Sequence, residues 1–423
     1  MRVLDLNTLY IDGGEGGVNT YLREKARCLG DRAGFPGEAV RHTIVVPGAA
    51  TRRSSLGSSG LYTIRSPRIL GNAQHRVLVD FTRVKAILEA ERPDVVEVDS
   101  SYFLARVAAR VLARRHVPII GFHHVHLPLL YTRPSRNWLR HAFSKRTEPL
   151  AWRYTRYCTE PCDRLVVTTQ DMHARLERRA LPRLEVVPLG VNLDIFRPRA
   201  GGARPAVPGV DPTRPVILHV GRLSAEKDLD VLYDAHAILL RQCGAQLVVA
   251  GDGPLRRQAA RLARSRAGFV YLGICPYGEQ LAQLYRSADV LAVPGRNESF
   301  SLIVLEAFAS GLPVVAVSQG GPSEICRPGL GELARPGDAG DFAAKVRLVL
   351  ASGISGSACR RHVESSCSWE QTFGRLLKVY ECALEATACS SRSEGRWLGW
   401  GLGLGTWRGA RRISPKIKVE EPC

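Results

Sequence analysis

The chain has 423 residues, 45% hydrophobic and 23% charged, and 59 Lys and Arg against 40 Asp and Glu leave a net charge of +19. This composition excludes a disordered or collagen-like chain, and the length suits two domains. There is no run of about 18 apolar residues to cross a membrane, and Asp5 interrupts the apolar stretch a signal peptide would need, so a cytosolic protein is the simplest expectation.

In chain order, β-rich runs at residues 3–6, 42–46, 94–98, 118–122 and 164–168 alternate with helical patterns at 20–29, 81–91 and 103–115. That alternation predicts βαβ units on a parallel sheet. Residues 199–214 are rich in Pro and Gly and read as a linker. The pattern then restarts, with strands at 216–220, 246–250, 270–272, 290–293 and 313–317 and helices between them. The expected organisation is an N-terminal domain over 1–198 and a second Rossmann-like domain over 215–368. A helix over 369–385 is expected to return toward the first domain. A tail over 386–423, holding Trp397, Trp400 and Trp407 among glycines, is expected to be disordered.

The positive charge is uneven. Residues 1–200 hold 32 Lys and Arg against 19 Asp and Glu. The densest stretch runs from Arg133 to Arg156, with seven basic residues, one acid, and Trp138, Phe143, Trp152 and Tyr154 between them. It suits either an anionic membrane surface or a solvated basic helix with its aromatics in the core. Nucleic acid would accept the same charge, but no recognition helix or RNA-binding signature accompanies it. The cysteines form no zinc-like pairs. Cys158 and Cys162, the nearest two, read as solitary thiols.

Five motifs carry chemistry. Gly13, Gly14, Gly16 and Gly17 follow the first strand and open a helix, which permits close backbone approach to a ligand; the spacing is wrong for a dinucleotide fingerprint. His123, His124 and His126 follow the strand at 118–122. A metal pair is one reading of them, and a single His presented to a crevice is the better one. Gly221, Arg222 and Lys227 lie on a strand-to-helix turn, where two cations suit a diphosphate. Gly251, in Ala-Gly-Asp-Gly, marks a further βα turn that lacks the P-loop pattern. Glu298 and Glu306, eight apart, bracket a helix N-terminus at which the amides of Phe300, Ser301 and Leu302 are expected to be free for an anion. A carboxylate on either side of a bound diphosphate fits a nucleoside diphosphate sugar.

Together these motifs resemble the retaining glycosyltransferases of family 4. The likeness covers roughly residues 1–385. It is carried by VGRLSAEKDLD, VVAGDGPL, and the paired glutamates of NESFSLIVLEAFASGLPVVA followed by GGPSEI, with GGV at 16–18 and FHH at 122–124 in agreement. The resemblance implies an α/β GT-B fold, two Rossmann-like domains facing each other across a cleft. It implies that Arg222 and Lys227 bind the donor diphosphate, Glu306 the ribose, and Glu298 the transferred sugar. The amides of Phe300 to Leu302 would meet the phosphates, Gly16 and Gly17 would sit near diphosphate and acceptor, and His123 would contact the donor sugar. The donor would be a GDP- or UDP-hexose, with mannose or glucose transferred. No compelling Asp-x-Asp motif is present, so no metal or other cofactor is expected. The family commonly has Glu-Gly-Phe-Gly where this chain has Glu298-Ser299-Phe300-Ser301. The rival enzyme classes are a GT-B epimerase or a phosphorylase, and the rival from outside enzymes is a basic nucleic-acid-binding protein. The resemblance also raises the expectation that the basic first domain meets the inner face of a membrane.

Overall fold

A computed structural model of the chain describes residues 1–10, 16–30, 40–69, 72–99, 103–123, 138–181, 183–199, 201 and 204–397. Its first sheet has eight strands in the order Leu184–Val186, Arg164–Val167, Ile119–Phe122, Val95–Asp99, Arg2–Leu6, Arg41–Gly48, Ser59–Arg65 and Arg52–Leu56. All pair in parallel except the edge strand Arg52–Leu56, which runs antiparallel to its neighbour. The second sheet is wholly parallel, in the order Phe269–Gly273, Gln246–Ala250, Val216–Val220, Val290–Val293, Val314–Val317 and Gly331–Ala334. Its direction of winding reverses between Val216–Val220 and Val290–Val293. At such a switch point the loops after the strands part and leave a crevice for a ligand. The expected α/β, GT-B-type arrangement of two Rossmann-like halves is therefore present.

The central strands are legible as apolar runs because helices cover both faces of a parallel sheet. Every residue of Val216–Val220 and Gln246–Ala250 is buried. Three elements differ from expectation. Arg52–Leu56 and Ser59–Arg65 form a hairpin, and Leu9–Tyr10, Asn72–Val77 and Arg68–Ile69 form a small antiparallel sheet. The polar, solvent-facing sequence RRSSL carries no alternation to announce a strand. The helix expected over 103–115 tightens after Leu104–Leu112 into a 3-10 turn, Ala113–Arg115, ended by His116 at φ 50°.

The third difference is at the C-terminus. The last helix runs Trp369–Trp397, so residues 386–397, read as tail, are helical. Ala, Glu, Arg and Ser there sustain a helix once the upstream turns are anchored; residues 398–423 lie outside the described part. The anchoring is on the first domain. Trp369 stacks on Phe373 with ring centroids 5.4 Å apart, Tyr21 meets Phe373 at 5.6 Å, and Gly190 lies against the Ser368–Trp369 backbone, where a Cβ would come within 2.4 Å.

Beneath that contact lies a buried polar cluster. Lys25 Nζ donates to both oxygens of Asp5 at 2.8 Å and to the Tyr380 hydroxyl at 2.9 Å, and it stands 3.1 Å from Glu97 Oε1. His42 Nε2 lies 3.0 Å from Asp5, and Tyr21 donates to Glu97 at 2.8 Å. Burial alone would raise the Asp5 carboxyl, but Lys25, then His42, bring it down to about 2. Burial wins at Glu97, whose carboxyl is raised despite Lys25.

Candidate active site

One wall of the cleft is built from three turns at the carboxyl ends of strands in the second sheet. After Val216–Val220 the chain turns through Gly221, at φ 140°. A Cβ on Gly251, at φ 141°, would fall 1.9 Å from the Gly221 carbonyl oxygen, so the second glycine turn locks against the first. Gly251 thus shapes the wall from behind. Arg222 is exposed. Lys227 ends the 3-10 turn Ala225–Lys227 and forms an ion pair with Glu298 Oε1. Asp228, at φ 48°, holds Arg296 through Nε at 2.8 Å, which ties the Lys227 turn to the Glu298 loop.

The third turn leads into the helix Leu302–Ala309. Glu306 on this helix is 6% exposed, and its Oε2 accepts a 2.7 Å bond from the Tyr285 hydroxyl. Burial and then this carboxylate push the Tyr285 phenol well above its ordinary pKa. Phe300 is buried against Gly321, where a Cβ would come within 2.5 Å of the Phe300 Cα. Ser301 stands at the N-cap with φ 150° and ψ 88°, a conformation that costs an L-residue about 1–3 kcal/mol.

The first domain supplies the opposite wall. Gly16 has φ 149°, and Gly17 opens the helix Gly17–Gly30. A Cβ on Gly17 would lie 3.8 Å from Leu302 Cδ1, so the glycine turn and the helix N-terminus face each other across the cleft. His123 follows the strand Ile119–Phe122 and is 1% exposed, its amide donating to Val166 O at 2.8 Å. Burial brings its imidazole down to about 4, so the ring is neutral at pH 7. Glu324 spans the cleft and accepts from the amides of Gln170 at 2.7 Å and Asp171 at 3.3 Å, at the start of the helix Gln170–Glu177.

Sequence reasoning missed several of these groups. His219, 1% exposed, bonds the Ala292 carbonyl through Nδ1 at 3.0 Å, and burial brings it down to about 4. Tyr277 reaches across to Glu24 at 3.1 Å, and Glu24 also accepts from Asn192 at 3.2 Å. His219 directly precedes Val220 and Gly221 of the strand-to-helix motif, but its burial is visible only in the fold; Tyr277, Glu24 and Asn192 lie far apart in the chain and form no compact motif. Of the histidine motif, His124 and His126 lie outside the described residues, as do Gly13 and Gly14. The basic stretch forms the helix Trp138–Thr159; residues 133–137 lie outside the description. Within this helix Trp152 is no free aromatic. Its Nε1 donates to Glu148 at 3.2 Å, and Arg179 lies 4.7 Å over its ring. Among the described side chains, the large exposed ones near this helix are Phe103, Leu150 and Tyr157. Cys158 and Cys162 are buried and unbridged.

The order of motifs and the two facing sheets agree with known proteins. Residues 15–195 match the family described as Glycosyltransferase Family 4, and residues 214–352 match Glycosyl transferases group 1. A D-inositol 3-phosphate glycosyltransferase of Geodermatophilus obscurus is 33% identical over 90% of this chain and 88% of its own. The chain belongs to glycosyltransferase family 4. A GDP-mannose-dependent alpha-(1-6)-phosphatidylinositol dimannoside mannosyltransferase of Mycobacterium tuberculosis is 29% identical over 93% of this chain and all of its own. The sulfoquinovosyl transferase SQD2 of Arabidopsis thaliana is 29% identical over 64% of this chain and 54% of its own. Among solved structures, sucrose-phosphate synthase from Thermosynechococcus elongatus superposes with a TM-score of 0.73 at 20% identity, covering 91% of this chain and all of its own. HepE of Anabaena in complex with UDP gives 0.64 at 16%, covering 90% and 100%. These two show the fold. The family-4 chain is thus a transferase enzyme, and the nucleic-acid alternative, which rested on charge alone, is set aside.

Proposed function

We propose that this glycosyltransferase transfers mannose or glucose from a GDP- or UDP-hexose, with retention at the anomeric carbon, to a hydroxyl of a polyol or lipid headgroup. The observation that carries the reading is the Lys227–Glu298 pair on the same wall as the N-terminus of Leu302–Ala309, with Gly17 facing that helix. On donor binding Lys227 leaves Glu298 for a diphosphate oxygen, and Glu298 turns to sugar hydroxyls. Arg222, exposed at the mouth, closes on the same phosphates. Glu306, fixed by Tyr285, takes the ribose hydroxyls.

The anomeric C–O bond breaks and its electron pair leaves with the diphosphate, whose growing charge meets Lys227, Arg222 and the helix dipole. The acceptor oxygen bonds to the same face of the sugar, and its proton passes to the departing phosphate oxygen. Neutral His123 offers a hydrogen bond to the sugar without adding positive charge beside a cation-like carbon. These groups neutralise the leaving group with no metal. The contacts at Glu324 and Tyr277 hold the two walls together, which excludes water from the donor.

A thermal-shift panel of UDP, GDP and their glucose and mannose conjugates tests the donor site, since a ligand bound only by the native state raises Tm. One nucleoside diphosphate should stabilise the protein, and Lys227→Ala and Glu306→Ala should each weaken it about tenfold or more, as loss of a charge-assisted hydrogen bond requires. Wild-type affinity in both variants would overturn the assignment.

A further inference from the structure

The hydroxyl of Ser301 has an unusual position. An N-cap serine ordinarily accepts a hydrogen bond from an amide of its own helix and so consumes one of the free donors there. Ser301 makes no such cap bond. Its Oγ is buried, the residue is 8% exposed, and the atom has no partner among the described residues. A buried hydroxyl left unpaired is unfavourable, and here it stands on a backbone at φ 150°, which glycine would adopt without strain. Two other polar atoms of the same wall, Ser224 Oγ and His219 Nε2, are also buried with no partner among the described residues. The feature lies in the chain between Glu298 and Glu306, and the residue after it, Leu302, meets Gly17 across the cleft.

We propose that the Ser301 side chain is itself a donor-site ligand: its hydroxyl donates to an oxygen of the diphosphate, beside the helix amides. The inference rests on the donor-site reading above and adds to it a side-chain contact that glycine at this position could not make. The strained serine persists because the bound anion completes the hydrogen bonding of its hydroxyl.

The test measures the affinity of UDP, GDP and the two bare nucleosides, and the unliganded Tm, for wild type, Ser301→Gly, Ser301→Ala and Lys227→Ala. Ser301→Gly should raise the unliganded Tm by roughly 2 °C or more, as the backbone strain is relieved, yet weaken the preferred nucleoside diphosphate about tenfold. Ser301→Ala removes the unpaired hydroxyl but keeps the strained backbone, so it should lose the same affinity while gaining less in Tm than Ser301→Gly. Nucleoside binding should not change in either. If Lys227→Ala weakens the diphosphate while both Ser301 variants bind it as wild type does, the hydroxyl contact is refuted and the donor site stands. If Lys227→Ala is also without effect, the donor site itself fails and this inference with it. Equal weakening of bare nucleosides would place the hydroxyl away from the phosphates and refute the contact.

Discussion

Replacing Lys25 by Met probes the coupling between the last helix and the glycine turn of the cleft. Lys25 is buried, with its ammonium 2.8 Å from both Asp5 oxygens and 3.1 Å from Glu97. Met fills much of the same volume but leaves two carboxyls with their counter-charge removed. Breaking a buried ion pair from one side costs about 3–5 kcal/mol, because the remaining charge is uncompensated. The pH dependence fixes the cause. In the wild type Asp5 is held near 2, below its ordinary 3.8, so its contribution is present above 3.8 and is lost as pH falls toward 2. Glu97 is raised, so its contribution has the opposite sign and declines as pH rises. Without Lys25 both carboxyls move up, and a raised carboxyl destabilises the native state most at high pH. The deficit of Lys25→Met should therefore be full at pH 7 and shrink as the pH falls through the raised carboxyl values. Urea unfolding at pH 7 and at pH 5 measures it. A loss below about 1 kcal/mol at pH 7, or a deficit that grows toward acid, would refute the reasoning, since either would mean that Lys25 does not compensate these charges.

Further outcomes are expected. Activity should be unchanged in excess chelator; a loss restored by Mg²⁺ or Mn²⁺ would overturn metal independence. His219 is held neutral at about 4 against an ordinary 6.5, so its contribution to stability falls as pH drops from 6.5 to 4. Within that window His219→Gln should flatten the slope of unfolding free energy against pH by up to about 1.4 kcal/mol per unit, and an unchanged slope would show that His219 is not the buried neutral group. Vesicles containing anionic lipid should bind the wild type through Leu150, Tyr157 and the neighbouring Arg153. The doubly substituted Leu150→Asp, Tyr157→Asp protein should stay at the bottom of a flotation gradient, whereas flotation like wild type would remove this face as the contact.

The second sheet could be read from the chain because each of its central strands is buried on both sides and so written as an unbroken apolar run. The two motifs to which we assign the donor were equally visible in the chain, since Gly221 to Lys227 and Glu298 to Glu306 are each local and sit on turns between a strand and a helix. The outer hairpin Arg52–Leu56 with Ser59–Arg65 was not, because an edge strand facing water needs no apolar pattern. Nor could the sequence show that Lys227 pairs with Glu298, that Tyr285 fixes Glu306, or that Lys25 joins Asp5, Glu97 and Tyr380, since these partners are separated by 20 to 355 positions. Side-chain chemistry and short-range period are properties of neighbours in the chain, whereas burial, charge compensation and the strained φ of Ser301 arise only when distant segments are packed together and water is removed from between them.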